Sequence, residues 1–384
     1  MEYVRLKDIG RIITGNTPPT SKPEYYGDYM PFIKATDISL GTKCTLVTEQ
    51  MYSELAAEKY NESLVPKGST CVVTIGSIGK KMTYAHTDLF VNQAINAIIP
   101  KDSYDNEYVF YNVKYSVLPQ LKKLDSGTTS GRENVSKSSF SSIRIPVIKD
   151  KRVQHRIASI LSTYDTLIEN NTKRIRLLEK MAENLYKEWF VRFRFPGYEK
   201  AEMENGLPKG WRRGSFSDIC EFRRGKNITA SEMVEGNVPV ISAGIEPSGF
   251  HNKANVEGIS ITMSSSGANA GYITIHYSNI WAADCSFIEE KMTPYIYYVY
   301  ELLNNIRGVI TNFQRGAAQP HVYPKDINRI KLIIPSERLM SLADERLSVI
   351  HRQICNLQHQ NTLLARRRDL LLPRLMSGKL EVKP

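Results

Sequence analysis

Five short stretches hold the residue types that could grip and read a polyanion. In "TIGSIGKKMTY", Gly76 and Gly79 flank Ser77 and are followed by Lys80 and Lys81. Glycine lets a backbone come close to a phosphate, and the two ammonium groups add charge. "SGTTSGRENVSK" supplies Thr128, Thr129, Ser130, Arg132 and Asn134, short donors and acceptors plus one guanidinium fork of the kind that matches a guanine edge. The second half of the chain offers "FRRGKNIT" with Arg223, Arg224 and Lys226, "SSSGANAG" with Ser265 and Asn269, and "QRGAAQPHVY" with Arg315, Gln319 and His321. For any single side chain of "SGTTSGRENVSK" the alternative is a solvated surface loop.

Chemistry beyond binding has no visible seat. "NTPP" at 16–19 approaches the N-P-P-aromatic tetrapeptide of adenine methyltransferases, yet Thr17 intrudes and the aromatic is absent, so it reads as a turn. There is no G-x-x-x-x-G-K-[ST] phosphate loop, no defensible D…E-x-K nuclease spacing, and the seven histidines lack metal spacing. We therefore expect neither a catalytic residue nor a metal site on this chain.

The elements that position these loops come in duplicate. From 157 an apolar seam steps by four and three through Ile157, Leu161, Tyr164, Ile168, Asn171, Ile175, Leu178, Ala182, Leu185 and Trp189. The same alternation recurs 186 residues later through Ala343, Leu347, Ile350, Ile354, Leu357, Asn361, Leu364, Arg368, Leu371 and Leu375. These are two long helices, each with a coiled-coil seam that must be covered. If the seams overlap fully and run antiparallel, Asn171 faces Asn361 and fixes the register. A parallel pairing is open on chain reach, and so is packing of each helix on its own domain. The paired rod would be roughly 48 Å long.

The segments before the helices correspond too. "YVRLKDIGRIITGNT" parallels "WRRGSFSDICEFRRGKNIT", "CVVTIGSIGKKMTYAHTDLFVNQAINAI" parallels "ITMSSSGANAGYITIHYSNIWAADCSFI", and "SGTTSGRENVSKSSFSSIRIPVI" parallels "QRGAAQPHVYPKDINRIKLIIP". Gly turns persist while the polar residues change. The expected order is a domain at 1–150, a long helix at 151–194, a linker at 195–210 marked by Pro196, Gly197, Gly206, Pro208 and Gly210, a second domain at 211–335 and a last helix at 336–384. Strands are expected at 71–75 and 259–263 and helices at 108–121 and 295–307, so the class is α+β with two pseudo-repeated α/β domains.

Charge supports the binding reading and complicates it. The net charge is +11 in 384 residues, which favours nucleic acid over an anionic membrane as partner. However, residues 151–194 hold ten Lys or Arg against five Asp or Glu, and 338–384 hold nine against four, so the domains themselves are nearly neutral. Local clusters must then do the binding. Cys44, Cys71, Cys220, Cys285 and Cys355 lack C-x-x-C spacing and read as small apolar residues. With no signal-peptide pattern and no apolar run of membrane length, we expect a cytoplasmic protein.

Two variable Gly-rich domains, each followed by a related helix, resemble the specificity subunit of a Type I restriction-modification system. The resemblance spans the chain and is carried by the repeat together with Gln154, Ile157, Leu161 and Asp165 after the first domain and Leu371, Leu372, Leu375, Gly378 and Leu380 at the end. It implies two target recognition domains on double-stranded DNA, an antiparallel intramolecular coiled coil that sets the spacer between half-sites, and no activity of the chain's own. Two modification (methyltransferase) subunits would carry S-adenosylmethionine, and restriction (translocase/endonuclease) subunits would use ATP and Mg. The second helix departs from the first with His351 where Asp165 stands and Arg368 where Ala182 stands, which argues against identical docking of two partners. A stand-alone DNA-binding or scaffolding protein with an internal coiled coil is the alternative.

Overall fold

The computed structural model describes residues 1–125, 133–315 and 320–383. It divides into two units, Met1–Thr172 with His359–Pro384, and Lys173–Gln358.

In the first unit a four-stranded antiparallel sheet runs in the order Gly10–Thr14, Ile95–Pro100, Thr70–Val73, Met82–Tyr84. Thr70–Val73 is buried at every position, as a central strand covered on both faces should be. A second sheet sets Tyr26–Ile33 between Gln50–Tyr52 and Phe90–Val91, with the Phe90 strand parallel to it. Here Tyr52 stacks on Phe90 at 4.4 Å between ring centres. A third pair joins Glu2–Arg5 to Arg144–Val147 and ties the start of the domain to its end.

The second unit repeats each of these sheets. Its four strands run Arg223–Arg224, Cys285–Glu289, Ser260–Ser264, Ile273–His276, its three-stranded sheet sets Val238–Ile241 between Gly249–His251 and a parallel Trp281–Ala282, and Arg212–Ser215 closes on Lys331–Ile334. The duplication read in the helices is therefore a duplication of domain topology as well.

One pH effect arises from this sheet. His276 accepts or donates a 2.8 Å hydrogen bond to Thr262 Oγ1, and burial pushes its pKa down to about 4. The unfolded chain takes up this proton below its ordinary value near 6.5, whereas the folded chain stays neutral, so stability is full above 6.5 and falls as pH drops toward 4. Between pH 6.5 and 5 the loss from this group is about 2 kcal/mol. His276→Asn should remove that slope, so the gap in urea midpoint between variant and wild type should narrow on acidification; a constant gap would contradict it.

The long helices are Lys151–Tyr186, prolonged by a wider turn at Lys187–Val191, and Glu337–Met376. Every side chain of both seams is buried or half-buried. In the first unit Ile157, Ala158 and Leu161 share a core with Leu372, Leu375 and Met376 and with Tyr108, Tyr111 and Val147 of the domain. In the second, Ala182, Tyr186 and Trp189 meet Leu339, Met340, Ala343 and Leu347, and Phe190 meets Tyr298 edge-on at 4.9 Å. The start of one helix thus meets the end of the other, which is the antiparallel arrangement, and each pair also packs on its own domain. Asn171 donates to Gln360 Oε1 and Asn361 to Thr172 Oγ1, both at 3.4 Å, so each asparagine bonds a sequence neighbour of the other. Among the described residues no helix is long and apolar enough to cross a membrane.

Candidate nucleic-acid interface

Sheet pairing brings the candidate loops together inside each unit. In the first, Ile75 bridges Asn134, Gly76 N–H donates to Glu133 O at 2.9 Å, and Val135 N–H to Thr74 O at 2.8 Å. The segment 74–81 therefore lies against 133–135. Thr128, Thr129, Ser130 and Arg132 lie outside the described residues. Thr14 Oγ1 donates to Asn96 Oδ1 at 2.6 Å and Asn96 Nδ2 to Thr74 Oγ1 at 2.8 Å, a polar tie between neighbouring strands of the sheet.

The fold itself engages part of this loop. The amides of Gly76 and Ile78 are spent on Glu133 O and Gly76 O, so they are not open to a phosphate. Gly79 has φ +70° and would place a Cβ 2.9 Å from Leu118 O, so packing alone accounts for it. Lys81 is held by the Ala35 carbonyl at 3.0 Å. Ser77 and Lys80 remain exposed.

In the second unit the loops "SSSGANAG" and "QRGAAQPHVY" meet through backbone contacts. Ser266 bridges His321, Val322 N–H donates to Ser265 O at 3.1 Å, Gly267 N–H to Pro320 O at 3.0 Å, and Gln314 Nε2 to Ala270 O at 2.8 Å. Arg315 and His321 exchange both backbone hydrogen bonds at 2.9 and 2.8 Å. Gln319 lies outside the described residues. Ser265 is only 8% exposed, because the buried strand Ser260–Ser264 runs into it, and this corrects its assignment as a base reader. Asn269 is half-buried and Lys226 exposed, while the Lys226 carbonyl accepts from Trp281 Nε1 at 2.9 Å.

Arg223 and Arg224 belong to one short strand, so their side chains leave on opposite faces. Arg223 lines a cavity with Glu221, Glu289 and Lys291, whereas Arg224 lies 3.8 Å from Asp284, which in turn accepts from Ser266 Oγ at 2.9 Å. The two are not a joint basic patch. Asp284, Ser266 and Asp326, the last holding Arg315 at 3.1 Å, were not singled out in the sequence. Only the folded sheet brings Asp284, sixty residues away, to Arg224.

Glycine fixes the correspondence between the units. A Cβ on Gly15 would collide with the carbonyl oxygens of Val91 and Asn92, and one on Gly225 with those of Ala282 and Ala283. Gly15 N–H donates to Ile95 O and Gly225 N–H to Cys285 O. Thr14 in the first domain therefore stands where Arg224 stands in the second.

The helix residues that depart from the repeat are interior. Arg368 is ion-paired with Asp165, both 3% exposed, and Asp165 also accepts from the Tyr111 hydroxyl. Burial works against the Arg368 charge, yet Asp369 and Asp165 hold its pKa above the ordinary value. Burial and the nearby Arg368 charge push Lys114 down, although it reaches Asp369 at 3.2 Å. In the second unit His351 takes the equivalent place, stacked on Tyr297 at 4.9 Å, with Nδ1 2.8 Å from the Tyr277 hydroxyl and Nε2 3.3 Å from Glu301. Among the described residues no group of three or more His, Cys, Asp or Glu is placed to hold a metal ion.

Comparison with known proteins gives one picture. The model of the Type I restriction modification DNA specificity domain matches residues 1–180 and 208–338. The Type I restriction enzyme MjaIX specificity subunit of Methanocaldococcus jannaschii is 28% identical, with 99% of this chain and 93% of that protein covered. A putative Type I specificity subunit of Mycoplasma genitalium, S.MgeORF438P, is 26% identical with 82% of each chain covered. The crystal structure of the Type I restriction-modification S subunit from M. genitalium has a TM-score of 0.59 at 20% identity, covers 97% of this chain and 95% of that one, and shares the fold.

Proposed function

This chain belongs to the family of Type I restriction-modification DNA specificity proteins, and from that premise we propose that its two domains each bind one half of a bipartite double-stranded target. It is a non-catalytic recognition subunit. Methylation and cleavage would belong to modification subunits carrying S-adenosylmethionine and to restriction subunits using ATP and Mg. The carrying observation is that both domains repeat one sheet order while equivalent positions differ in chemistry, as Thr14 and Arg224 do. A shared scaffold with unlike reading side chains suits two unlike half-sites.

A selection from randomised duplexes tests this. The full chain should enrich two short constant blocks separated by an unconstrained gap, with retention falling steeply as salt rises. The chain alone with S-adenosylmethionine should transfer no methyl group to the enriched duplex. A single contiguous block, no enrichment, or methyl transfer by the chain alone would overturn the reading.

A further inference from the structure

We propose that the second domain reads guanine, with Arg224 and Arg315 as the reading groups and Asp284 and Asp326 as the carboxylates that position them; this rests on the DNA-binding reading above. Both guanidinium groups are open to solvent, Arg224 63% and Arg315 61% exposed. Arg315 is tethered on one side by a hydrogen bond, and Arg224 has a carboxylate beside it. Asp326 is 10% exposed in the short helix Pro324–Asn328 and accepts from Arg315 Nη2 at 3.1 Å. Asp284 is steadied by Ser266 Oγ at 2.9 Å and sets one oxygen 3.8 Å from Arg224 Nη2.

The Arg224–Asp284 pair is exposed and contributes little to stability, so Asp284 is not explained by what it adds to folding, whereas Asp326 is nearly buried and Arg315 also balances its charge. The effect the two acids share is on orientation. A guanidinium is planar, and one held at a single nitrogen keeps N–H donors on its other edge with much of its rotamer freedom already removed. Guanine presents two acceptors, O6 and N7, on its major-groove edge, which match a pair of parallel donors; adenine presents one donor and one acceptor there.

The two pairs form one connected cluster. Arg224 meets Asp284, Asp284 meets Ser266, Ser266 bridges His321, and His321 bridges Arg315, which meets Asp326. No such fork stands at the equivalent strand end of the first domain, where the Thr14 hydroxyl is bonded to Asn96. The Arg224 fork is therefore particular to the second domain.

The test is base selection by the full chain, wild type against Arg224→Gln, Arg315→Gln, Asp284→Asn and Asp326→Asn, with thermal midpoints as the folding control. Each arginine variant should lose about tenfold to a hundredfold of preference at one guanine. The other half-site should be unchanged. Each asparagine variant should broaden preference at the same guanine as its arginine partner while non-specific affinity holds, a pattern a purely structural acid would not give. Replacing that guanine with 7-deazaguanine, which lacks the N7 acceptor, should weaken wild type and leave the arginine variant unaffected.

If the arginine variants weaken all sequences equally and lower the salt slope, the groups contact phosphates and the proposal is wrong. A wild-type site whose bases do not respond to either arginine also overturns it, with DNA recognition itself intact. Absence of any enrichment by wild type would instead remove the reading on which it stands, and the proposal with it.

Discussion

Replacing Arg368 with alanine should destabilise the first unit by roughly 3–5 kcal/mol, since it strands the Asp165 carboxylate in a site where both partners are 3% exposed. The loss goes beyond one ion pair. Arg368 also holds Asp369 at 3.0 and 3.2 Å and the Gly41 carbonyl at 3.4 Å, and Asp165 is the acceptor of the buried Tyr111 hydroxyl. For a unit of this size the thermal midpoint should fall by about 2–4 °C per kcal/mol. Removing the whole network with Asp165→Leu, Arg368→Met and Tyr111→Phe together should restore most of the loss, because apolar groups of similar volume replace a buried ion pair at little cost. A midpoint shift under about 2 °C for Arg368→Ala would mean that water reaches the pair, contrary to the geometry.

That network also shows where sequence reading stops. The helices were legible because a seam at steps of four and three has few alternative folds, and the domains because Gly turns and alternating strands recur in order. The equivalence of Gly15 and Gly225 rests on a steric need that only the fold displays, since the carbonyls each glycine admits come from residues far along the chain. The pairing of Asp165 with Arg368 was not legible either, since Asp165 lies one residue off the seam and which seam flank it covers depends on how the helix meets Tyr111. Loop chemistry was half legible. Glycine and lysine in "TIGSIGKK" matched a phosphate cradle by type, yet two of its amides and one lysine are taken by the fold itself. Strand alternation separated Arg223 from Arg224, and strand burial withdrew Ser265. Reading groups are thus recognisable by residue type only after sheet register has decided which of them face solvent.

The second large effect concerns specificity. Exchanging residues 1–150 for the corresponding domain of another family member should replace one half of the selected DNA sequence and leave the other half unchanged. Affinity for the original site should then fall toward the non-specific level, about a thousandfold or more, because each lost base pair costs ~1–3 kcal/mol and several are lost together. The exchange has a structural condition that the first unit makes explicit. Leu6, Ile9, Tyr108, Tyr111 and Val147 pack against Ile157, Leu161, Leu372, Leu375 and Met376, and Gln154 bonds Ile148 O at 2.6 Å and Asp105 N–H at 2.8 Å. An incoming domain must present equivalent apolar groups and a hydroxyl for Asp165, or the chimera will fail to fold for reasons unrelated to recognition. A second chimera, exchanging only residues 74–81 and 133–135 on the native scaffold, keeps those contacts and isolates the reading surface. It should alter base preference in the same half-site as the full exchange. Should either folded chimera change both half-sites, the two domains do not read independently, and the division of labour proposed for them is wrong.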